Sequence, residues 1–96
     1  MFILTLTYTA PIEIIDELIP SHRVYLDKNY ALGKFICSGA QIPRTGGIII
    51  CNAANKAEVT EIISHDPFYM QGAADYQVIE FTPTKYADEF KPFIKF

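Results

Sequence analysis

The 96-residue chain predicts an α+β domain of ferredoxin-like β-α-β-β-α-β order, a four-stranded antiparallel sheet with two helices on one face. Three observations carry that expectation. Four short segments have the composition or two-residue alternation of strands, and two longer ones repeat apolar residues at helical spacing. Glycine or proline stands at most of the junctions. A chain this long builds one core, not two.

The first segment, Phe2 to Thr9, sets Phe2, Leu4, Leu6 and Tyr8 on one face and Ile3, Thr5, Thr7 and Thr9 on the other. The period of two, with β-branched and aromatic residues, reads as a strand. Its threonine face fits a polar cavity wall or a solvent-facing stripe. Pro11 suits the first position of a helix, where its missing N–H costs nothing. Ile12, Ile15, Leu18 and Ile19 follow at helical spacing, and Gly33 is placed to stop the run. The expected helix covers about residues 11 to 32, bent or restarted at Pro20. His22, Leu26 and Asn29 share one stripe of it.

Lys34 to Gly39 reads as the second strand, with Phe35 and Cys37 on one face and Ile36 and Ser38 on the other. Gln41 to Gly47 reads as a loop and Ile48 to Asn52 as the third strand. Asn55 and Glu58 begin a second helix in the manner of a capping box, and Val59, Ile62 and Ile63 form its buried stripe. Pro67 is expected to end it. The last strand runs from Tyr76 to Thr82. The tail, with Tyr86, Phe90, Phe93, Ile94 and Phe96, is too apolar to float in water. It either docks on its own subunit or covers a neighbour. One helical layer covers only one sheet face, so a second copy of the sheet is the simplest cover for the other, and a homodimer is expected.

Composition excludes several functions. Eight Lys and Arg against eleven Asp and Glu give a net charge of −3, the wrong sign for nucleic-acid binding. Apolar runs reach four residues at most, too few for a membrane span. Met1 leads straight into a strand-like segment with no basic n-region, so no signal peptide is expected and the domain is expected in the cytoplasm. Cys37 and Cys51 are too far apart for a redox or zinc pair, and in strand-like stretches they read as small buried hydrophobes. Gly46-Gly47 lacks the Lys-Ser/Thr of a phosphate loop and precedes a strand. No nucleotide or flavin fingerprint is present, and no cofactor or metal is expected.

Five residues remain as candidates for chemistry. His22 sits early in a helical turn and Asp66 at a helix-to-loop corner, where each also has an ordinary structural role: boundary histidine, or turn starter before proline. In this topology the two helices lie side by side, so the pair can meet. A carboxylate beside an imidazole fixes its tautomer and supports a general base. His65 is the rival imidazole, and its place at a helix C-terminus favours a peripheral role. Arg44 is either an anchor for an anionic substrate oxygen or a solvated loop cation. Tyr8 is a second candidate anchor, and Ser38 a pocket hydroxyl.

Pro20 through Leu26, Ser38-Gly39, Thr45-Gly46-Gly47-Ile48 and Asp66-Pro67-Phe68 resemble, in order and spacing, the pattern of the YCII-related family over about residues 1 to 83. The resemblance implies a dimeric α+β barrel and a His–Asp active site at His22 and Asp66. The family includes a dehydrochlorinase acting on a chlorinated hydroxyhydroquinone, and Pro43 through Gly47 looks like that branch. The extension at residues 84–96 lies outside the shared pattern. The expected function is a cofactor-free lyase- or isomerase-like enzyme. In it His22, oriented by Asp66, moves a proton on a small aromatic or cyclic metabolite. The alternative is a binding or sensing module that holds such a metabolite without chemistry. An RNA-binding reading fails on charge.

Overall fold

The computed structural model describes residues 1–94. In chain order the elements are β1 (Phe2–Tyr8), α1 (Ile12–Ala31), β2 (Phe35–Ala40), β3 (Gly46–Cys51), α2 (Lys56–Ser64), α3 (Pro67–Met70) and β4 (Ala74–Glu80), followed by a 3-10 helix at Asp88–Phe93. The strands pair antiparallel in the order β2-β3-β1-β4. This is the ferredoxin-like arrangement expected from the sequence.

The alternation in β1 decides which face is covered. Phe2, Leu4 and Leu6 are buried together with Ile15 and Tyr25 of α1, Val59 and Ile63 of α2, and Phe68 of α3. Across the sheet, Cys51 lies opposite Phe2 and Ile49 opposite Leu4, and both are buried. Strand parity puts Ile3, Thr5 and Thr7 on the other face, with Ile3 opposite Ile50 and Ile79. The threonine stripe of β1 therefore faces away from the helices.

Four local expectations are corrected. First, of the bend or restart expected at Pro20, the restart is excluded: α1 runs through Pro20 as one helix. One proline removes a single backbone hydrogen bond, and burial of Ile15 before it and of Tyr25 and Asn29 after it holds both halves to one sheet. Gly33 does end the helix, at φ +72°, while the Lys34 N–H returns to the Asn29 carbonyl at 2.9 Å. Second, Phe35 and Cys37 do not share a face. A register shift between them puts Phe35 opposite Cys51 and Ser38 opposite Ile49, so Phe35 and Ser38 turn toward the helices. Cys37 is exposed, not a buried hydrophobe.

Third, Gly46 and Gly47 belong to β3 rather than to the preceding loop. Gly46 pairs with Thr7, and a Cβ there would sit 1.7 Å from the Leu6 carbonyl oxygen. Only glycine allows that approach. Fourth, α2 ends at Ser64 and Pro67 starts α3 instead of merely stopping α2. At the first helical position proline gives up an N–H that has no intrahelical partner anyway. The capping expectation at Asn55 is met: its side chain accepts from Glu58 N–H at 2.9 Å.

The tail turns back on its own chain, with Asn52 Nδ2 donating to the Phe93 carbonyl at 2.8 Å. Phe96 lies outside the described residues. No helix among the described residues is long and apolar enough to cross a membrane.

Candidate active site

Asp66 occupies the corner between α2 and α3, and three donors converge on its carboxylate. As the N-cap of α3 it accepts the Phe68 N–H at 3.0 Å through Oδ1. The same oxygen lies 2.8 Å from His22 Nδ1, and Tyr76 Oη donates to Oδ2. The carboxylate is fully buried. Since a carboxylate oxygen accepts, Nδ1 carries the proton and the neutral ring keeps its lone pair on Nε2. The imidazole also stacks on the Phe68 ring, with centroids 4.0 Å apart and planes 11° from parallel.

The sequence puts these groups together by simple means. α1 lies against α3, which brings His22 to the corner where Asp66-Pro67 begins a new turn. Tyr76 stands opposite Leu6 in the β1–β4 ladder and so points to the helix side. Burial pushes its hydroxyl far above the ordinary tyrosine range, and the Asp66 charge adds to this. Tyr25, one turn after His22, donates to the Ile62 carbonyl at 2.9 Å and is raised chiefly by burial as well.

In front of the imidazole is a cavity of about 550 Å³, within the range of small-molecule sites. His22 is on its wall and Asp66 lies behind His22. The other three candidates, Tyr8, Ser38 and Arg44, line the same space, as does Asp16. Ser38 Oγ lies 2.6 Å from the Tyr30 hydroxyl. Arg44 donates to Asp16 at 2.8 Å, and its guanidinium carbon stands 5.9 Å from the centre of the Tyr8 ring. The Asp16 hydrogen bond raises Arg44 above its ordinary value, and Tyr8 reinforces this. His65 is outside the cavity lining and pairs with Glu61 at 3.0 Å, one helical turn away. Among the described residues, no group of three or more His, Cys, Asp or Glu is placed to hold a metal ion.

Sequence reasoning missed Tyr76, Asp16 and the stacking role of Phe68. Tyr76 shares parity with Val78 on a strand whose inner face could have been assigned. Asp16 has no sequence signal beyond its place on the first helix.

Comparison with known proteins adds two findings. The YCII-related domain family matches residues 1–82. A solved structure similar in fold is the 5-chloro-2-hydroxyhydroquinone dehydrochlorinase of Burkholderia phenoliruptrix AC1100, in complex with 2,5-dihydroxybenzoquinone. It superposes with a TM-score of 0.72 at 21% identity, over 93% of this chain and 98% of that one. No curated protein sequence matches significantly.

Proposed function

Because the chain belongs to the YCII-related family, and its cavity carries an imidazole held by a buried carboxylate, we propose that it is a cofactor-free enzyme of proton transfer and elimination. The observation that carries this reading is the 2.8 Å contact between His22 Nδ1 and Asp66, which leaves Nε2 as the basic nitrogen. On this reading residues 1–83 carry the reaction, and residues 84–96 are an apolar extension.

The substrate class is a small hydroxylated ring bearing a leaving group such as chloride. A hydroxyl beside the chlorine-bearing carbon passes its proton to that carbon, giving a keto tautomer in which the carbon is tetrahedral. Nε2 then takes the proton of a second ring hydroxyl, its electron pair forms the second carbonyl, the ring double bond shifts, and chloride departs from the tetrahedral carbon. One molecule of HCl is lost, and no oxidant or reductant is consumed. Asp66 stabilises the imidazolium that forms. Arg44 and Tyr8 anchor substrate oxygens, and Ser38, which lines the same cavity, supplies a hydroxyl. The similarity in fold to a dehydrochlorinase supports the choice of leaving group.

The test is chloride release from 5-chloro-2-hydroxyhydroquinone, corrected for spontaneous loss, by the wild type and by His22→Ala. Positioned proton transfer contributes about 10²–10⁴-fold, and His22→Ala is expected to lose that much. A loss under about tenfold would remove His22 from the role of base. A wild type that binds 2,5-dihydroxybenzoquinone but turns over no chlorinated ring would make the cavity a binding site instead.

We further propose that the protein acts as a cytoplasmic homodimer joined through the outer sheet face, where Ile3, Ile50 and Ile79 stand side by side. Light scattering at micromolar concentration checks this. A mass of 10.9 kDa would contradict it.

A further inference from the structure

We propose that Tyr76 is a positioning residue that sets the basicity of His22 through Asp66. The inference rests on the reading of His22 as the base and adds a residue that never touches the substrate. Its ground is the distribution of donors on one buried carboxylate. Oδ1 serves His22 and the Phe68 N–H, while Oδ2 has Tyr76 as its donor among the described residues. Tyr76 is absent from the cavity lining, and its direct link to the His22 imidazole runs through Asp66.

The direction of the effect follows from charge. With His22 Nδ1 and Asp66 Oδ1 2.8 Å apart, removing the last exchangeable proton takes the pair from neutral overall to anionic. A hydrogen-bond donor aimed at the carboxylate stabilises the anionic state more than the neutral one. The Tyr76 hydroxyl therefore makes the imidazole a weaker base than Asp66 alone would make it. That is true whichever of the two partners holds the shared proton.

Other titratable or charged groups line the cavity with His22 or pack beside its ring. Tyr25 and Asp16 come from α1 along with Arg23, Tyr8 comes from β1, and Arg44 comes from the β2–β3 loop. None of them donates to Oδ2. Tyr25, which donates to the Ile62 carbonyl, also hydrogen-bonds the Tyr76 hydroxyl and loses that contact in Tyr76→Phe, whereas 3-fluorotyrosine keeps it.

Histidine-selective NMR titration of the ligand-free protein tests this without any substrate. In Tyr76→Phe the His22 midpoint is expected to rise by about one pH unit, the scale of one charge-assisted hydrogen bond. His65, which is exposed and pairs with Glu61, is the internal control and should not move. A second protein carries 3-fluorotyrosine at position 76 only. It keeps the shape of the side chain and has a more acidic, more strongly donating hydroxyl. Its His22 midpoint is expected to fall.

Opposite shifts in the two proteins sustain the proposal. An unchanged His22 midpoint in both overturns it, as does a shift in the same direction in both. If Tyr76→Phe does not fold, the fluorotyrosine protein decides by itself, because a purely structural tyrosine would give no shift. The titration reads the ring directly, so failure to find a turned-over substrate leaves it intact. Conversely, a flat titration leaves His22 available as the base.

Discussion

The imidazole of His22 and the phenyl ring of Phe68 lie face to face at 4.0 Å, 11° from parallel, while the side chain that caps the Phe68 amide is the one that holds His22 Nδ1. One three-residue corner, Asp66-Pro67-Phe68, thus fixes the ring in two ways. The carboxylate sets its rotation and tautomer, and the phenyl face sets its plane. A general base gains rate from being held in a near-attack geometry, and the corner supplies that constraint with rigid groups.

Phe68→Leu separates the two constraints. It keeps the Asp66 contact and removes the stack. The expected cost to folding is about 1–2 kcal/mol, from imperfect volume replacement and a lost aromatic pair. Activity should fall by about tenfold through kcat, since the base is present but less well aimed. Urea titration and steady-state kinetics check the two halves. Unchanged kcat would mean that the carboxylate alone orients the ring.

Asp66 combines a structural and a chemical role, and two substitutions divide them. Asp66→Asn keeps an oxygen to cap the Phe68 N–H but removes the charge that favours the imidazolium. Asp66→Ala removes the cap and takes from the buried Tyr76 hydroxyl its carboxylate acceptor. Folding stability should therefore fall by about 2–4 kcal/mol in Asp66→Ala and by clearly less in Asp66→Asn. Turnover should fall about 10²–10⁴-fold in both. A fully active Asp66→Asn enzyme would reduce Asp66 to a helix cap.

These residues also mark how far the sequence could be read. The β-α-β-β-α-β order was legible because β1 and both long helices carry clean periodicities, and the corner was legible because Asp-Pro is a turn signal. The side-chain geometry of β2 was not. A register shift of one residue after Phe35 exchanges the two faces, and Ile36-Cys37-Ser38 holds no glycine or proline to announce it. Gly46-Gly47 misled in the opposite direction. Glycine pairs usually mark loops, but Gly46 is in a strand because the β1 backbone passes too close for any side chain. Tyr76 escaped notice because its partner is ten residues away on a different element, and periodicity carries no information about such pairs.

Alkaline stability follows from groups buried in protonated form. Burial pushes the Cys51 thiol from 9.0 up to about 11, with the Glu58 charge adding to it. Tyr25 and Tyr76 are raised above 10.0, also chiefly by burial. Below pH 9 both folded and unfolded chains hold these protons, and stability does not depend on them. As pH rises through 9 and then 10, the unfolded chain releases protons that the folded one retains. The unfolded state then binds fewer protons, so stability declines with pH. Urea midpoints at pH 8 and 10 should differ accordingly, and Cys51→Ala should show a shallower decline between them. A wild-type midpoint that stays level across that interval would contradict the prediction.

The pair formed by Arg44 and Asp16 at the cavity wall predicts a selectivity that can be measured without turnover. Their side chains are 40% and 58% exposed, so the ion pair is screened and weak, and a ligand can compete for the guanidinium. An anionic ring oxygen entering the cavity would exchange one carboxylate partner of Arg44 for another, whereas a neutral ring would leave the pair as it is. Asp16→Asn removes the competitor and should tighten binding of anionic 2,5-dihydroxybenzoquinone by about threefold, the scale of an exposed ion pair. Neutral hydroquinone should bind as before. Arg44→Gln should weaken the anion and not the neutral ring, because only the anion uses the fork of N–H donors. Calorimetric titration of both ligands into the three proteins checks this. Equal effects on the charged and neutral rings would place Arg44 outside the recognition of substrate oxygens.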